Sequence, residues 1–190
     1  MTRSFAVLLL LCGILVVSCA RGPAVHTQTG ETQLETIPTP PELVARSELI
    51  VAGTVSGQGD LWNMARGSDP TTPSKTNIVL AQNFTVHVDR TLKGAQTLDV
   101  TVAVAKAYGV VGVGQSDDPQ WLPPKVGVRY LWFLVRIPGT DVYGQPGEPY
   151  RFVLTTEARV ESRWATASQQ FPAMPSTSFM NLVTTAVERP

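Results

Sequence analysis

Over residues 84–89 and 97–104 every second side chain is a large apolar one. Phe84, Val86 and Val88 alternate with Thr85, His87 and Asp89; Leu98, Val100, Val102 and Val104 alternate with Thr97, Asp99, Thr101 and Ala103. A period of two puts each set on its own face of a strand, so the pattern predicts two half-buried strands with the apolar side inward. The stretch "LKGAQ" between them supplies a turn at Gly94, and the whole reads as a β-hairpin. Further on, "VGVRYLWFLVRI" is apolar on both faces, with Val128, Tyr130, Trp132 and Leu134 on one and Leu131, Phe133, Val135 and Ile137 on the other. That pattern predicts a central strand.

The remaining elements follow from local signals. Thr39 with Glu42 three residues on makes a capping box, and Pro40 occupies the first helical position, so a short helix is expected over Pro40 to Arg46. Glu48 to Ser56 reads as a strand through Ile50, Val51 and Val55. Gly57 to Thr76 is polar and long for a turn, and is expected to be a loop. "AYGVVGVG" predicts a short strand, "QSDDPQWLPPK" and "PGTDVYGQPGEP" loops, and "YRFVLTTEARV" one more strand. At the end Phe179, Leu182, Val183 and Ala186 recur at helical spacing behind a Ser or Thr cap. That helix is expected to pack on the sheet or to close one end of a barrel.

The first residues break this β pattern. One positive charge, Arg3, precedes an apolar run of 13 residues from Phe5 to Val17, which stops at Ser18-Cys19. As a helix the run reaches about 20 Å at roughly 1.5 Å per residue, short of the ~30 Å hydrocarbon core. An export signal fits better than a membrane span. Its end, Val16-Val17-Ser18-Cys19, resembles the bacterial lipobox, with Val at the first position where Leu is usual. The resemblance implies a diacylglycerol on the Cys19 thiol, cleavage before Cys19, and a membrane anchored through that lipid. The alternative is an ordinary secretory signal cut nearby, for example after "SCA". The expected organisation is a signal peptide over 1–18, a flexible tether over 19–38 rich in Thr, Gln, Gly and Pro, and one β-rich domain over 39–190.

Composition narrows the chemistry. The two cysteines are Cys12 and Cys19; with the first removed and the second lipidated, no disulfide forms, and the domain relies on its core. Lys plus Arg and Asp plus Glu both number 15, and no basic patch calls for nucleic acid. Of two histidines, His26 lies in the tether and His87 on the polar side of a strand. No HxxxH or CxxC spacing exists, and a structural zinc site needs about four ligands. Asp117 and Asp118 in "SDDP" are carboxylates in a loop without the alternating spacing of a calcium loop. "GVVGVG" reverses the dinucleotide glycine order and opens no helix. Ser56 has Thr54, not Gly, two residues before it, so it makes no nucleophile elbow. No cofactor, metal or catalytic set is expected.

Five or six strands with few helices predict a mostly β fold: a small antiparallel OB-like barrel or sandwich with a short N-terminal and a C-terminal helix. The order "ARSELIVAGTVSG", "FTVHVDRTLKG", "LDVTVAV", "GVRYLWFLVR" resembles a layout of exported bacterial domains, and is similar to the OB-like barrel of netrin-type domains, the type of the tissue inhibitors of metalloproteases. The resemblance spans Pro40 to Arg136 and implies the barrel. It does not carry inhibition across: those inhibitors present a free N-terminal cysteine amine within a disulfide-fixed segment, whereas Cys19 is expected to be lipidated and followed by a tether. The expected function is that of a non-catalytic, lipid-anchored envelope protein binding a protein or glycan partner. Its contact loops are expected at Gly57–Thr76, Gln115–Lys125 and Pro138–Pro149, with Trp62, Trp121 and Tyr143 as aromatic anchors. The alternatives are a carrier of a small apolar ligand or lipid inside the barrel, and a weak hydrolase using His87.

Overall fold

The computed structural model describes residues 39–189. The expected signal peptide and tether, with Val16, Val17, Ser18, Cys19 and His26, lie outside the described residues. Within them the chain is mostly β, with nine strands and three helices where five or six strands and two helices are expected. In chain order these are α1 (Pro40–Arg46), β1 (Leu49–Asn63), β2 (Asn77–Lys93), β3 (Asp99–Val110), β4 (Gly114–Asp117), β5 (Arg129–Arg136), β6 (Tyr143–Gly144), β7 (Arg151–Leu154), β8 (Glu157–Val160), α2 (Ala167–Gln170), β9 (Met174–Pro175) and α3 (Ser176–Glu188). No described helix is long and apolar enough to cross a membrane.

Five strands join in a ring. β1 pairs antiparallel with both β2 and β5, β2 pairs with β3, and β5 pairs with the short β6. β6 then meets β3 through one parallel pair, Val102 opposite Tyr143, which completes the circuit. The sheet is therefore mixed, not purely antiparallel. β7, β8 and β9 continue it from the other side of β5, and β4 hangs on β3, so β4 and β9 are its edges. The central role expected of β5 holds. It has β1 on one side and β6 and β7 on the other, and its residues 130 to 134 are fully buried.

The two faces of β5 belong to two cores. Inside the ring, Tyr130, Trp132 and Leu134 pack with Val51, Phe84, Val86, Val100 and Val102. Outside it, Leu131 and Phe133 pack with Phe152 and the two longer helices, through Leu43 and Val44 of α1 and Phe179, Met180 and Val183 of α3. Phe152 is the hub of that outer core, with ring centroids 5.7 Å from Phe133, 5.2 Å from Phe171 and 4.6 Å from Phe179. A third, smaller cluster of Ala81, Ala103 and Ile137 lies against Trp62, Met64 and Val142. β1 and β2 approach closely at Gly53, where the register shifts after Ala52 and a Cβ would lie 2.5 Å from the His87 carbonyl oxygen.

Several expectations need correction. α1 has the expected bounds, but Thr39 Oγ1 donates to the Glu42 carboxylate at 2.9 Å and caps no backbone N–H. The polar stretch from Gly57 does not loop at once. Residues 57–63 extend β1, because their backbone pairs with 80–85 of β2 and Trp62 Nε1 donates to Asn83 Oδ1 at 2.7 Å. Leu98 is 76% exposed: its carbonyl still accepts from the Val88 N–H at 2.8 Å, but its side chain lies beyond the last ladder pair, His87 opposite Asp99. Ala103, expected on a wetted face, is buried under the third cluster. "GVVGVG" is the tip of the β3–β4 hairpin, with Gly112 and Gly114 at positive φ. "YRFVLTTEARV" is two strands, β7 and β8, turning at Thr155 and Thr156. No side chain caps α3. Pro175 precedes it, and Ser176 Oγ donates to the Thr155 carbonyl at 2.8 Å, fastening the helix start to that turn. Leu182, expected in the core, is 40% exposed on the outer side of α3.

Truncating the aromatic hub should cost what a large buried ring costs. Phe152→Ala is expected to lower unfolding stability by about 3–5 kcal/mol, whereas the exposed Leu98→Ser is expected to change it by less than about 0.5 kcal/mol. Urea denaturation of the two variants checks both values.

Candidate functional site

β7 alternates like any strand, so with Phe152 in the outer core its neighbour Arg151 points the other way. That places a guanidinium at 1% exposure among aromatic rings, 5.3 Å from the Tyr150 centroid and 5.9 Å from those of Tyr130 and Trp132. A buried charge of this kind is tolerated when it is paired and hydrogen-bonded. Arg151 Nε donates to Glu161 at 2.6 Å, Nη1 donates to the Tyr150 hydroxyl at 2.7 Å, and Nη2 donates to the Leu122 carbonyl. One side chain thus ties β7, the segment after β8 and the loop after β4 together.

A second pair repeats the tie. Arg163 Nη1 lies 2.7 Å from Asp118 Oδ2, both side chains being largely buried. Asp118 also accepts from the Gln120 N–H at 2.9 Å, and its own N–H donates to the Lys106 carbonyl at 2.7 Å. These bonds hold the loop 118–125 in place and present Trp121 beside Lys106, whose ammonium stands 5.1 Å from the indole centroid. Between the loop, β3 and the segments 145–151 and 161–163 lies a polar cleft of about 340 Å³ including its open mouth, lined by Tyr108, Gln120, Trp121, Gln145, Glu148 and Arg163 among others. The cleft as a whole has room for little more than one water molecule.

Glu148 is the least compensated charge of the cleft. It is 5% exposed, and its hydrogen bond is a single one, from Ser162 Oγ to Oε2 at 2.8 Å. Burial pushes its carboxyl above the usual carboxylate range; the Ser162 bond and the Arg151 and Arg163 charges pull against that, and Asp118 adds to it. Burial also raises Tyr150 and Tyr108, so both phenols keep their protons at neutral pH. Two donors of the lining, Trp121 Nε1 and Arg163 Nε, are buried without an acceptor. An unmet buried donor costs about 1–3 kcal/mol.

Two of the three expected contact loops meet here: Gln115–Lys125 contributes Gln120 and Trp121, and Pro138–Pro149 contributes Gln145 and Glu148. The third does not reach the cleft. What remains a loop there, residues 64–76, instead abuts Gly139 with the Thr71 backbone, so closely that only a residue without Cβ fits. Of the expected anchors, only Trp121 lines the cleft. Trp62 ends β1 over the third cluster with Arg66 5.1 Å from its ring centroid, and Tyr143 sits at the ring closure with Arg136 at 5.9 Å. All three are half-buried. His87 is exposed and its partner is Asp99 at 3.1 Å. Among the described residues no three His, Cys, Asp or Glu side chains are grouped to hold a metal ion. Sequence reasoning missed Glu148, Arg151, Glu161 and Arg163. The available signal was an arginine inside the strand "YRFVL" with the acid of "ESR" ten residues on, where a hairpin brings it back. No protein-family model matches the chain, and no curated protein matches it either.

Two outcomes test the electrostatics. Arg151→Leu leaves Glu161 buried without its partner and is expected to lose about 3–5 kcal/mol of stability, most of it recovered by adding Glu161→Leu; urea melts of the single and double variants read this. For Glu148 the folded state holds its proton more tightly than the unfolded chain. Its contribution is therefore intact below the unfolded value of 4.5 and is lost as pH rises through the raised folded value. Glu148→Gln is expected to raise the melting temperature at pH 8 and to leave it unchanged at pH 4.

Proposed function

We propose that the chain is a lipid-anchored envelope protein, held to the cell membrane or the outer membrane by Cys19, whose β domain is a non-catalytic binding module facing away from the cytoplasm. The observation that carries the binding reading is the Arg151-centred cleft: buried charges fix the loop after β4 against β7 and the segment after β8, around a polar opening. The anchor rests on the lipobox-like "VVSC" and the polar stretch behind it. The five-stranded ring, with its one parallel pair, supports an OB-like barrel, a Greek-key arrangement used for oligosaccharide and other ligand recognition. That likeness is of architecture, and the function is argued from the cleft.

The alternatives are less well supported. The inside of the ring is filled by Phe84, Val86, Val102, Tyr130 and Trp132, which speaks against a carrier of an apolar ligand there. His87 hydrogen-bonds an aspartate on an open strand face, with no serine or cysteine as its partner.

Fractionation decides the anchor. Wild-type protein is expected in the membrane fraction with an acylated Cys19 at its mature N-terminus by mass spectrometry, and Cys19→Ala in the soluble fraction. A Cys19→Ala protein cleaved at the same bond and still membrane-bound would sink the anchored reading.

A further inference from the structure

We propose that the chain's own residues 34–38 dock in the groove between α1 and the end of α3, with Leu34 and Ile37 as its apolar plugs. The inference goes beyond the binding-module reading and stands whether or not Cys19 carries lipid. The groove comes first. α1 and α3 share the outer core through Leu43, Val44 and Val183. Beside them opens a groove of about 610 Å³ including its mouth. Pro40, Pro41, Leu182 and Ala186 make it mostly apolar, and Thr185 and Arg189 complete the lining. Leu182 stands 40% exposed there.

The segment comes second. Residue 38 is bonded to Thr39, which directly precedes the first wall residue, Pro40, so the chain outside the described residues leaves from the rim of the groove. Its composition is uneven. From His26 to Gln33 it has no large apolar side chain; Leu34 and Ile37 then follow in "LETIP". Reach is sufficient. The backbone from Leu34 to Pro40 spans up to about 20 Å, and Leu182 to Arg189 covers about 10 Å of helix axis.

Charge and linkage come third. Arg189 has no carboxylate partner among the described residues, and the acid of the segment is Glu35. Opposite charges on segment and lining favour this pairing over a basic occupant. A segment joined to its site by a few residues acts at an effective concentration in roughly the millimolar range. A second copy or a free peptide of like composition does not match that. The folded unit then begins at residue 34, and the freely moving spacer ends at Gln33.

A Glu-specific endoprotease tests this with a control built into the chain. Glu31–Thr32 and Glu35–Thr36 are the same bond, one upstream of the docked segment and one within it. The full-length protein is digested in lipid nanodiscs, and as Cys19→Ala in buffer, with both cuts followed by mass spectrometry. Cleavage follows the undocked population, so the bond after Glu35 is expected to be cut about tenfold more slowly than the bond after Glu31. Leu182→Glu, which places a charge in the apolar wall, is expected to abolish that difference, and Arg189→Glu to reduce it. Matching melting curves and an unchanged rate after Glu31 establish that both variants fold. Equal rates at the two bonds in the wild type overturn the inference. So does protection that Leu182→Glu leaves intact, the mark of mere closeness to α1. Protection lost on dilution assigns the groove to a second copy, and protection present in nanodiscs but absent in buffer assigns it to the bilayer; either result overturns docking within the chain. The ratio is read inside one chain, so failure of the lipid anchor leaves the nanodisc result standing.

Discussion

The constraint on which the structure turns is the burial of one guanidinium. Arg151 sits where β7 passes under Tyr130 and Trp132, and removing a charge from water there carries a penalty of several kcal/mol unless it is matched. The match is supplied by the adjacent Tyr150, by Glu161 ten residues on and by Leu122 in the loop after β4. Satisfying Arg151 therefore fixes the loop after β4 against the β7–β8 hairpin. Asp118 and Arg163 then lock the same loop a second time. The position of Trp121 follows from these bonds, and so does the cleft.

What could be read from the sequence was whatever a local period or turn residue dictates. The bounds of α1, the inward row Phe84, Val86, Val100 and Val102, and the two-faced burial of β5 all follow from patterns within a dozen residues. Errors began where a long-range partner overrides local composition. Gly57 to Asn63 looks like loop because it is polar, yet its backbone is paired along β2. Ala103 looks exposed because of its phase, yet the chain after β5 returns to cover it. The cleft was illegible for the same reason: Asp118 and Arg163 stand 45 residues apart in sequence, and nothing local marks them as partners.

The aromatic residues show how a correct choice of residue type can still mislead about surface. Trp62, Trp121 and Tyr143 each carry a cation near the ring, from Arg66, Lys106 and Arg136 respectively. Such contacts are worth about 0.5–1 kcal/mol at exposed positions. A ring so covered offers one face at most, and its use depends on what its polar atom does. Trp62 has its N–H bonded to Asn83 and is part of the packing. Trp121 has none, and its indole N–H is buried without an acceptor.

The edges of the sheet have a consequence under the lipid anchor proposed at Cys19. A protein confined to two dimensions meets copies of itself far more often than one in bulk solvent, and open strand edges then invite cross-pairing between neighbours. Here the two end strands are minimal. β4 has four residues and ends in Asp117, and β9 has two, of which Pro175 has no N–H to give. β2 has a partner on both sides, whereas β1 has β5 beside it only over Leu49–Thr54, and one side of residues 56–63 stays unpaired. Crowded copies would find shareable backbone along that outer half of β1 and little of it on the two end strands.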